Sequence, residues 1–194
     1  MPMIRETIVS TVNRGGQVHF APLGIIAADD GWIIAPFYPS TTLNNLRSVP
    51  FAVANFTDDV RIFAGCLTGR GAWPATASEE IIVPRLVAAL SHAELAVSHI
   101  TEDEQRPRFH CRVLRTVTHA PFKGFNRAQA AVIEAAILVS RLKMLPRDKV
   151  EREIGYLQNA VNKTSSPDEE EAWSWLMDAV RVFYADTKKL NSRR

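Results

Sequence analysis

The segment Ser40–Leu46, which reads Ser-Thr-Thr-Leu-Asn-Asn-Leu, carries the residues best suited to chemistry in this chain. Three consecutive hydroxyl side chains stand where a short helix is predicted to begin, and the first backbone N–H groups of a helix have no partner inside it. Because the helix dipole also favours negative charge there, the segment could hold an anion such as a phosphate group. Asn45 follows Thr42 by three residues and shares its helical face. Serine and threonine are also ordinary helix caps, and these residues taken alone favour capping over phosphate binding.

A metal site is the second kind of functional site for which the sequence offers candidate residues. The candidate ligands are His99, His110, Cys111 and His119, whose spacing matches no common zinc pattern. The neighbours His110 and Cys111 should point to opposite faces of a strand. We therefore predict no metal site. The sequence also contains no Gly-x-Ser-x-Gly elbow of a hydrolase and no glycine pattern of a dinucleotide-binding fold.

Composition narrows the class of protein and its partners. The 194 residues include 23 Lys plus Arg and 21 Asp plus Glu, without a basic block, so nucleic acid is not an expected partner. The apolar stretches stop short of bilayer length, and Arg5 and Glu6 stand where a signal peptide would be apolar, so no membrane association is expected. Cys66 and Cys111 lie far apart, which is typical of reduced, packed thiols in a cytoplasmic protein.

The elements that must position Ser40–Leu46 are mainly strands. Up to about His119, short segments alternate apolar and polar residues as half-buried strands do. The predicted strands are Glu6–Asn13, Gln17–Ala27, Trp32–Phe37, Phe51–Phe56, Ala93–Thr101 and Phe109–Thr118. Turn signals at Arg14–Gly16 and Asp29–Gly31 separate the first three of them. Short strands at close spacing favour a small barrel over a doubly wound sheet.

Short helices are predicted between these strands. One covers Ser40–Arg47, and another begins at Asp58 or Asp59, either of which could serve as its N-cap. A third is predicted over Ser78–Leu90 because two glutamates follow the first serine and suit the dipole of a helix start. Pro84 lies inside this third segment and would distort it or delay its start.

The rest of the chain has a helical pattern. A helix over Asn126–Leu145 has a cap residue at its start, and Val150–Val161 carries the apolar face of a second helix. Ser166 opens a third, with proline at the first helical position and glutamate three residues after the cap. We expect these apolar stripes to form a core. The predicted fold is thus α+β, mainly β, with residues 1–120 in one domain and 121–194 in a helical subdomain.

The order of these features resembles the FMN-binding split-barrel superfamily, which includes flavin reductases and pyridoxamine-phosphate oxidases. In the reductases an early strand carries an Asn-Ala-type segment near the flavin, and a later segment reads roughly Asp-Thr-x-x-Asn-Ile before an apolar strand. The corresponding segments here are His19–Gly24 and Thr41–Leu46, the latter followed by Phe51–Asn55. The chain is more closely similar to one archaeal and bacterial group, domain of unknown function 447. The likeness extends over nearly the whole length and includes a helix like Phe125–Leu142.

This resemblance implies a split β-barrel with a C-terminal helical appendage, which binds FMN in a groove between the two subunits of a homodimer. It implies that Thr42, with Ser40 or Thr41, holds the phosphate and that Asn45 bonds the phosphate, the ribityl chain or nearby backbone. The backbone of Ala21–Gly24 would lie against the isoalloxazine ring. The implied cofactor-binding residues are His19, Ala21, Pro22, Leu23, Gly24, Ser40, Thr41, Thr42 and Asn45.

The sequence also departs from the reductase pattern. His19 stands where the reductases often have Asn, and Thr41 stands where they have an acidic residue. The motif does not identify the basic residue that would pair with the phosphate, and the candidates are Arg14, Arg47 and Arg61. The implied function is an oxidoreductase that passes hydride or electrons through FMN between small-molecule partners. No residue stands out as an acid or base, so a protein that only binds FMN or another phosphorylated ligand is the alternative. A dimeric scaffold with a vestigial pocket is a third hypothesis.

Overall fold

The computed structural model describes residues 3–29 and 31–191, so Asp30 of the predicted turn Asp29–Gly31 lies outside the described residues. The described chain divides into two compact units. The barrel unit is formed by the described part of residues 1–58 and 71–122, and the helical unit by that of residues 59–70 and 123–194. Within the described residues, no helix has the length and apolar character needed to cross a bilayer.

Six antiparallel strands close the barrel, which confirms the predicted small barrel. The strands of the barrel unit are β1 (Ile4–Val12), β2 (Val18–Ala28), β3 (Gly31–Ile34), β4 (Phe51–Phe56), β5 (Ala75–Thr76), β6 (Arg85–Leu86), β7 (Ser91–Thr101) and β8 (Arg108–Thr118). The order of strands around the barrel is β1-β2-β3-β8-β7-β4. The short strands β5 and β6 pair with each other in a separate two-stranded sheet.

Alternating side chains of the strands fill the barrel. Val9, Ile25, Leu95 and Phe109 are fully buried members of its core. Each such side chain contributes roughly 1.5–3 kcal/mol through removal of apolar surface from water. Cys111 also belongs to this core, whereas the adjacent His110 lies outside it, as the strand alternation predicts.

Helix α1 (Thr41–Ser48) is anchored on the barrel by its apolar face. Leu43 and Leu46 are 2% and 1% exposed and belong to the barrel core. This anchoring matters for chemistry because it fixes where the first turn of α1 lies relative to β1 and β2, which α1 contacts.

The helical unit contains the remaining helices. They are α2 (Val60–Leu67), α3 (Arg127–Ser140), α4 (Arg147–Thr164) and α5 (Pro167–Asn191). Asp59 caps α2 and Asn126 caps α3, both as predicted, and their side-chain oxygens accept backbone N–H groups of the first turn. Val132, Ala135, Ala172 and Leu176 are buried in its core, which confirms that the predicted apolar stripes form a core.

Three predicted elements differ from the structure. The segment Ser78–Leu90 is not a helix but an irregular strap with the two residues of β6 within it. Pro84 cannot donate an N–H group, and the N–H groups that would start the helix instead bind Glu94. Strand β3 ends at Ile34 rather than Phe37, and α3 ends at Ser140, with Arg141 as C-cap, rather than at Leu145.

Candidate functional site

The N-terminus of α1 combines a helix cap with backbone donors that have no partner within the helix. Ser40 has an extended backbone and its hydroxyl accepts the Leu43 N–H at 3.3 Å, so the capping interpretation is confirmed. The first-turn N–H groups of Thr41 and Thr42 have no intrahelical acceptor. Thr41 is exposed, whereas Thr42 is only 2% exposed. This turn therefore offers an anion two backbone donors and one accessible hydroxyl.

Asn45 connects α1 to β1. It is 4% exposed, and its side-chain amide donates to the Thr11 hydroxyl at 3.0 Å. Its backbone carbonyl accepts the Val49 N–H at 2.7 Å and the Ser48 hydroxyl at 3.0 Å. One of the two N–H donors of the Asn45 side chain is thus used inside the protein. These hydrogen bonds fix the position of α1 on the barrel.

The predicted segment on β2 lies beside the same strand. In the β1–β2 ladder, His19 is opposite Thr11, and Ala21 is opposite Val9. Thr11 therefore contacts Asn45 of α1 while it pairs with His19 of β2, so β1 brings the two predicted segments together. Burial lowers the pKa of the half-buried His19 ring, which favours its neutral form at neutral pH.

Two exposed side chains of β1 lie close to the glycine of this segment. A Cβ atom at Gly24 would lie 2.8 Å from Ile4 Cγ2 and 3.0 Å from Glu6 Oε1, so both side chains would have to shift. The Thr7 hydroxyl donates to the Leu23 carbonyl at 3.0 Å and holds the strand next to this glycine. Residues 21–24 are each partly exposed, which leaves the surface of β2 open to a flat ligand.

The loop between β7 and β8 supplies groups that sequence reasoning missed. Arg106 donates through Nε and Nη2 to the Ala35 carbonyl at 3.1 and 2.9 Å, and its guanidinium lies 4.2 Å from the ring centre of Phe37. The Gln105 carbonyl accepts the Tyr38 N–H at 3.0 Å. These contacts join residues about seventy positions apart, so no local sequence signal could have identified Arg106.

The three arginines that the sequence proposed as phosphate partners have different surroundings. Arg47 binds the Tyr38 hydroxyl and the Glu102 carboxylate, each at 2.7 Å, beside the segment that leads into α1. Arg61 belongs to the helical unit and pairs with Asp59 and Asp168. Arg14 is exposed in the turn between β1 and β2. Of the two candidate arginines in the barrel unit, Arg47 is therefore the one that contacts the segment leading into α1.

The closed barrel with its capping helix α1 is the fold of FMN-binding split-barrel proteins, which confirms the fold predicted from the resemblance. Residues 5–120 match the N-terminal domain of a protein of unknown function, DUF447, and residues 126–178 match the second part of that family. The chain belongs to the DUF447 family. No curated protein matches it.

Solved structures share the fold. An FMN-bound protein of Methanosarcina mazei from the same family aligns with a TM-score of 0.81 at 19% identity, covering 92% of this chain and 96% of that one. The 2-nitrobenzoate 2-nitroreductase of Pseudomonas fluorescens aligns with a TM-score of 0.51 at 21% identity over 61% of this chain and 66% of its own. An FMN-binding protein of Thermus thermophilus with bound 1-cyclohex-2-enone aligns with a TM-score of 0.50 at 17% identity. This alignment covers 61% of this chain and 71% of that one. The second and third likenesses cover only part of this chain.

Proposed function

We propose that this protein binds FMN, with the phosphate at the first turn of α1 and the isoalloxazine ring along residues 21–24 of β2. The observation that carries the proposal is that β1 holds both segments, through Asn45 and Thr11 on one side and the β1–β2 ladder on the other. The FMN-bound relative of the same family, which aligns over 92% of this chain, supports the identity of the ligand. All these residues fall within the proposed domain 1–120.

Eight of the nine predicted site residues, all except His19, receive a role in this proposal. Ser40, Thr41 and Thr42 bind phosphate through first-turn N–H groups and the Thr41 hydroxyl, while Ser40 also caps the helix. Asn45 positions α1 by its bond to Thr11. Arg47 contributes positive charge, and the backbone of residues 21–24 supports the ring. When bound, FMN would supply the capacity to accept and return hydride or electrons.

The proposal extends to assembly and location. We propose a homodimer, with the flavin groove at the subunit interface and a small-molecule redox partner entering from solvent. Phe37 and Tyr38, which precede α1, are 50% and 45% exposed, and such apolar surface next to the site would be covered by a second subunit. We also propose a cytoplasmic location, which the presence of Cys66 and Cys111 as thiols outside any disulfide supports.

Replacing Thr41 with Asp tests the phosphate site. A carboxylate at the first helical position suits the helix dipole, so the variant should fold at least as stably, yet it repels a phosphate. We expect the Kd for FMN, from flavin fluorescence, to rise on the order of 10- to 100-fold, the loss of one or two favourable contacts. Thr118→Asp is the matched control, because it adds the same charge at the exposed end of β8. Equal FMN affinity in Thr41→Asp and wild type would refute this site.

A protein that binds FMN, or another phosphorylated ligand, without turnover is the second candidate function. This second function is favoured because His19 is the one residue among the nine predicted site residues that can titrate near neutral pH. The other eight could not serve as an acid or base at that pH. Steady-state oxidation of NADH or NADPH distinguishes the two functions. An oxidoreductase should exceed the rate of an equal concentration of free FMN by more than about tenfold, whereas a binding protein should match or suppress it. A vestigial pocket would retain no flavin at all.

A further inference from the structure

The loop between β7 and β8, residues 102–107, holds the entry segment of α1, residues 35–39. The entry segment belongs to no helix or strand. Its Ala35 carbonyl accepts two N–H groups of the Arg106 guanidinium, at 3.1 and 2.9 Å. The same guanidinium lies 4.2 Å from the ring centre of Phe37, which is a cation–π contact. One side chain of the loop therefore binds both the backbone and an aromatic ring of the entry segment.

The loop also holds the end of the entry segment that is nearer to α1. The Tyr38 N–H donates to the Gln105 carbonyl at 3.0 Å. Arg47 of α1 donates to the Tyr38 hydroxyl and to the Glu102 carboxylate, each at 2.7 Å. The loop, the entry segment and α1 are thus joined through one guanidinium. Because Tyr38 precedes the N-cap Ser40 by only two residues, this joint restricts where the first turn of α1 begins.

Asp103 supports the loop from within. Its carboxylate accepts the backbone N–H groups of Arg106 at 2.7 Å and Gln105 at 2.9 Å. These two donors lower the pKa of the Asp103 carboxyl, so the acceptor is an anion at neutral pH. Pro107, the last residue of the loop, is buried. The loop therefore has its own internal hydrogen bonds and can act as a fixed brace for the entry segment.

The contacts of Arg106 require the geometry of a guanidinium. Arginine presents its N–H donors in a planar fork, so it can bind one carbonyl through two of them while its flat face lies on an aromatic ring. Lysine carries the same charge on a single nitrogen and cannot make both contacts at once. The charge and the bracing geometry of Arg106 can therefore be tested separately.

The ring end of the proposed flavin site has a different support. Residues 21–24 of β2 are held by the ladder with β1 and by the bond from the Thr7 hydroxyl to the Leu23 carbonyl. The side-chain contacts of Arg106 fall on the entry segment instead. A change at Arg106 should therefore disturb the phosphate end of the site and leave the ring end intact.

We propose that Arg106 is a positioning residue that gives the flavin site its preference for a phosphorylated ligand. By holding the entry segment, Arg106 fixes Ser40 and the first-turn N–H groups of α1, to which the phosphate would bind. Donors that are already in place bind a ligand more tightly than donors that must first be ordered. This inference rests on the proposed function, and it assigns Arg106 an effect through the entry segment rather than a contact with the ligand.

The affinities for FMN and riboflavin, which differ only in the phosphate, test this inference. In Arg106→Gln, the Kd for FMN from flavin fluorescence should rise by about tenfold or more, whereas the Kd for riboflavin should change by less than about twofold. Arg112→Gln is the matched control, because it removes the same charge from an exposed position of β8. The control should keep both affinities. An Arg106→Gln variant with the wild-type preference for FMN would overturn the inference.

Arg106→Lys separates positioning from charge. If Arg106 acts through its bonds to the entry segment, lysine should restore little of the affinity, and the Kd for FMN should stay closer to that of Arg106→Gln than to that of wild type. Wild-type FMN affinity in Arg106→Lys would show that the positive charge alone is sufficient and would contradict the positioning role.

Amide hydrogen exchange of the flavin-free protein gives a readout that needs no ligand. In Arg106→Gln, protection of the Tyr38 amide should fall on the order of tenfold, while amides of the β1–β2 ladder keep theirs. Unchanged protection of Tyr38 would contradict the inference. A wild-type protein that binds no FMN would refute the proposed function together with this inference. A wild-type protein and an Arg106→Gln variant that prefer FMN equally would refute the inference alone.

Discussion

Asn55 is a single side chain that joins three parts of the barrel unit. Its amide donates to the Ile8 carbonyl at 2.9 Å and the Ser10 hydroxyl at 3.0 Å, and its carbonyl accepts the Leu86 N–H. The side chain is fully buried, so water cannot replace it. We expect Asn55→Ala to lower the free energy of unfolding by about 2–4 kcal/mol, because several buried polar groups lose their partner. Urea unfolding measures the change.

Asn44→Ala is the control for this prediction. Asn44 is exposed on α1 and alanine favours helix, so its replacement should change the free energy of unfolding by less than about 0.5 kcal/mol. A loss below about 1 kcal/mol in Asn55→Ala would show that the strap relaxes enough to satisfy the groups that Asn55 binds.

Individual residues of the candidate site could be predicted only where the sequence carries a local signal. The hydroxyl run at Ser40–Thr42 marks a helix start, and the structure has Ser40 as the cap. The bond from Asn45 to Thr11 joins residues 34 positions apart, and that from Arg106 to Ala35 joins residues 71 apart. Such contacts depend on strand register, which a single sequence does not specify, so the surroundings of the α1 N-terminus had to come from the structure.

Helices and strands whose ends are marked by clear sequence signals were predicted well. Asn126 accepts the N–H groups of Ala128 and Gln129 at 2.7 and 3.3 Å, and its amide donates to the Thr164 carbonyl at 2.9 Å. The cap of α3 therefore also satisfies the C-terminal end of α4. Strand Phe51–Phe56 was predicted with its observed bounds, since its apolar run is sharply flanked.

The strap is the element that sequence reasoning missed. Two glutamates after Ser78 predict a helix start, but their N–H groups bind Glu94, which lies 14 or 15 positions further along the chain. Ile81 and Val83 are buried while Ile82 is 72% exposed, an alternation that follows the barrel surface rather than a helical face. A buried tertiary acceptor thus overrides the local propensity for helix.

Across the whole molecule, titratable groups are arranged so that the fold is weakened by acid. The pKa values of His19 and His119 lie below the ordinary value of 6.5, and that of Glu94 lies below 4.5. The unfolded chain binds more protons than the folded one in this range, so the free energy of unfolding falls as pH drops below about 6.5. The contribution of Glu94 is lost below about 4.5.

The stability of the fold at alkaline pH depends on a different residue, Cys111. Burial in the barrel core raises the pKa of the Cys111 thiol from 9.0 to about 12, because desolvation disfavours the charged thiolate. Above pH 9 the unfolded chain loses this proton first, so stability should fall by about 1.4 kcal/mol per pH unit up to the folded pKa. Urea unfolding under reducing conditions from pH 7 to 10.5 measures this slope.

Cys111→Ala and Cys66→Ala separate this effect from general alkaline unfolding. The first variant leaves a small cavity and should be less stable at pH 7, yet it should lose much less stability between pH 9 and 10.5 than wild type. The second variant replaces the half-buried thiol of α2 and should keep the alkaline slope, since Cys111 is still present. If Cys111→Ala retains the full slope, other groups such as Tyr184, whose pKa burial also raises, govern the alkaline limit of the fold.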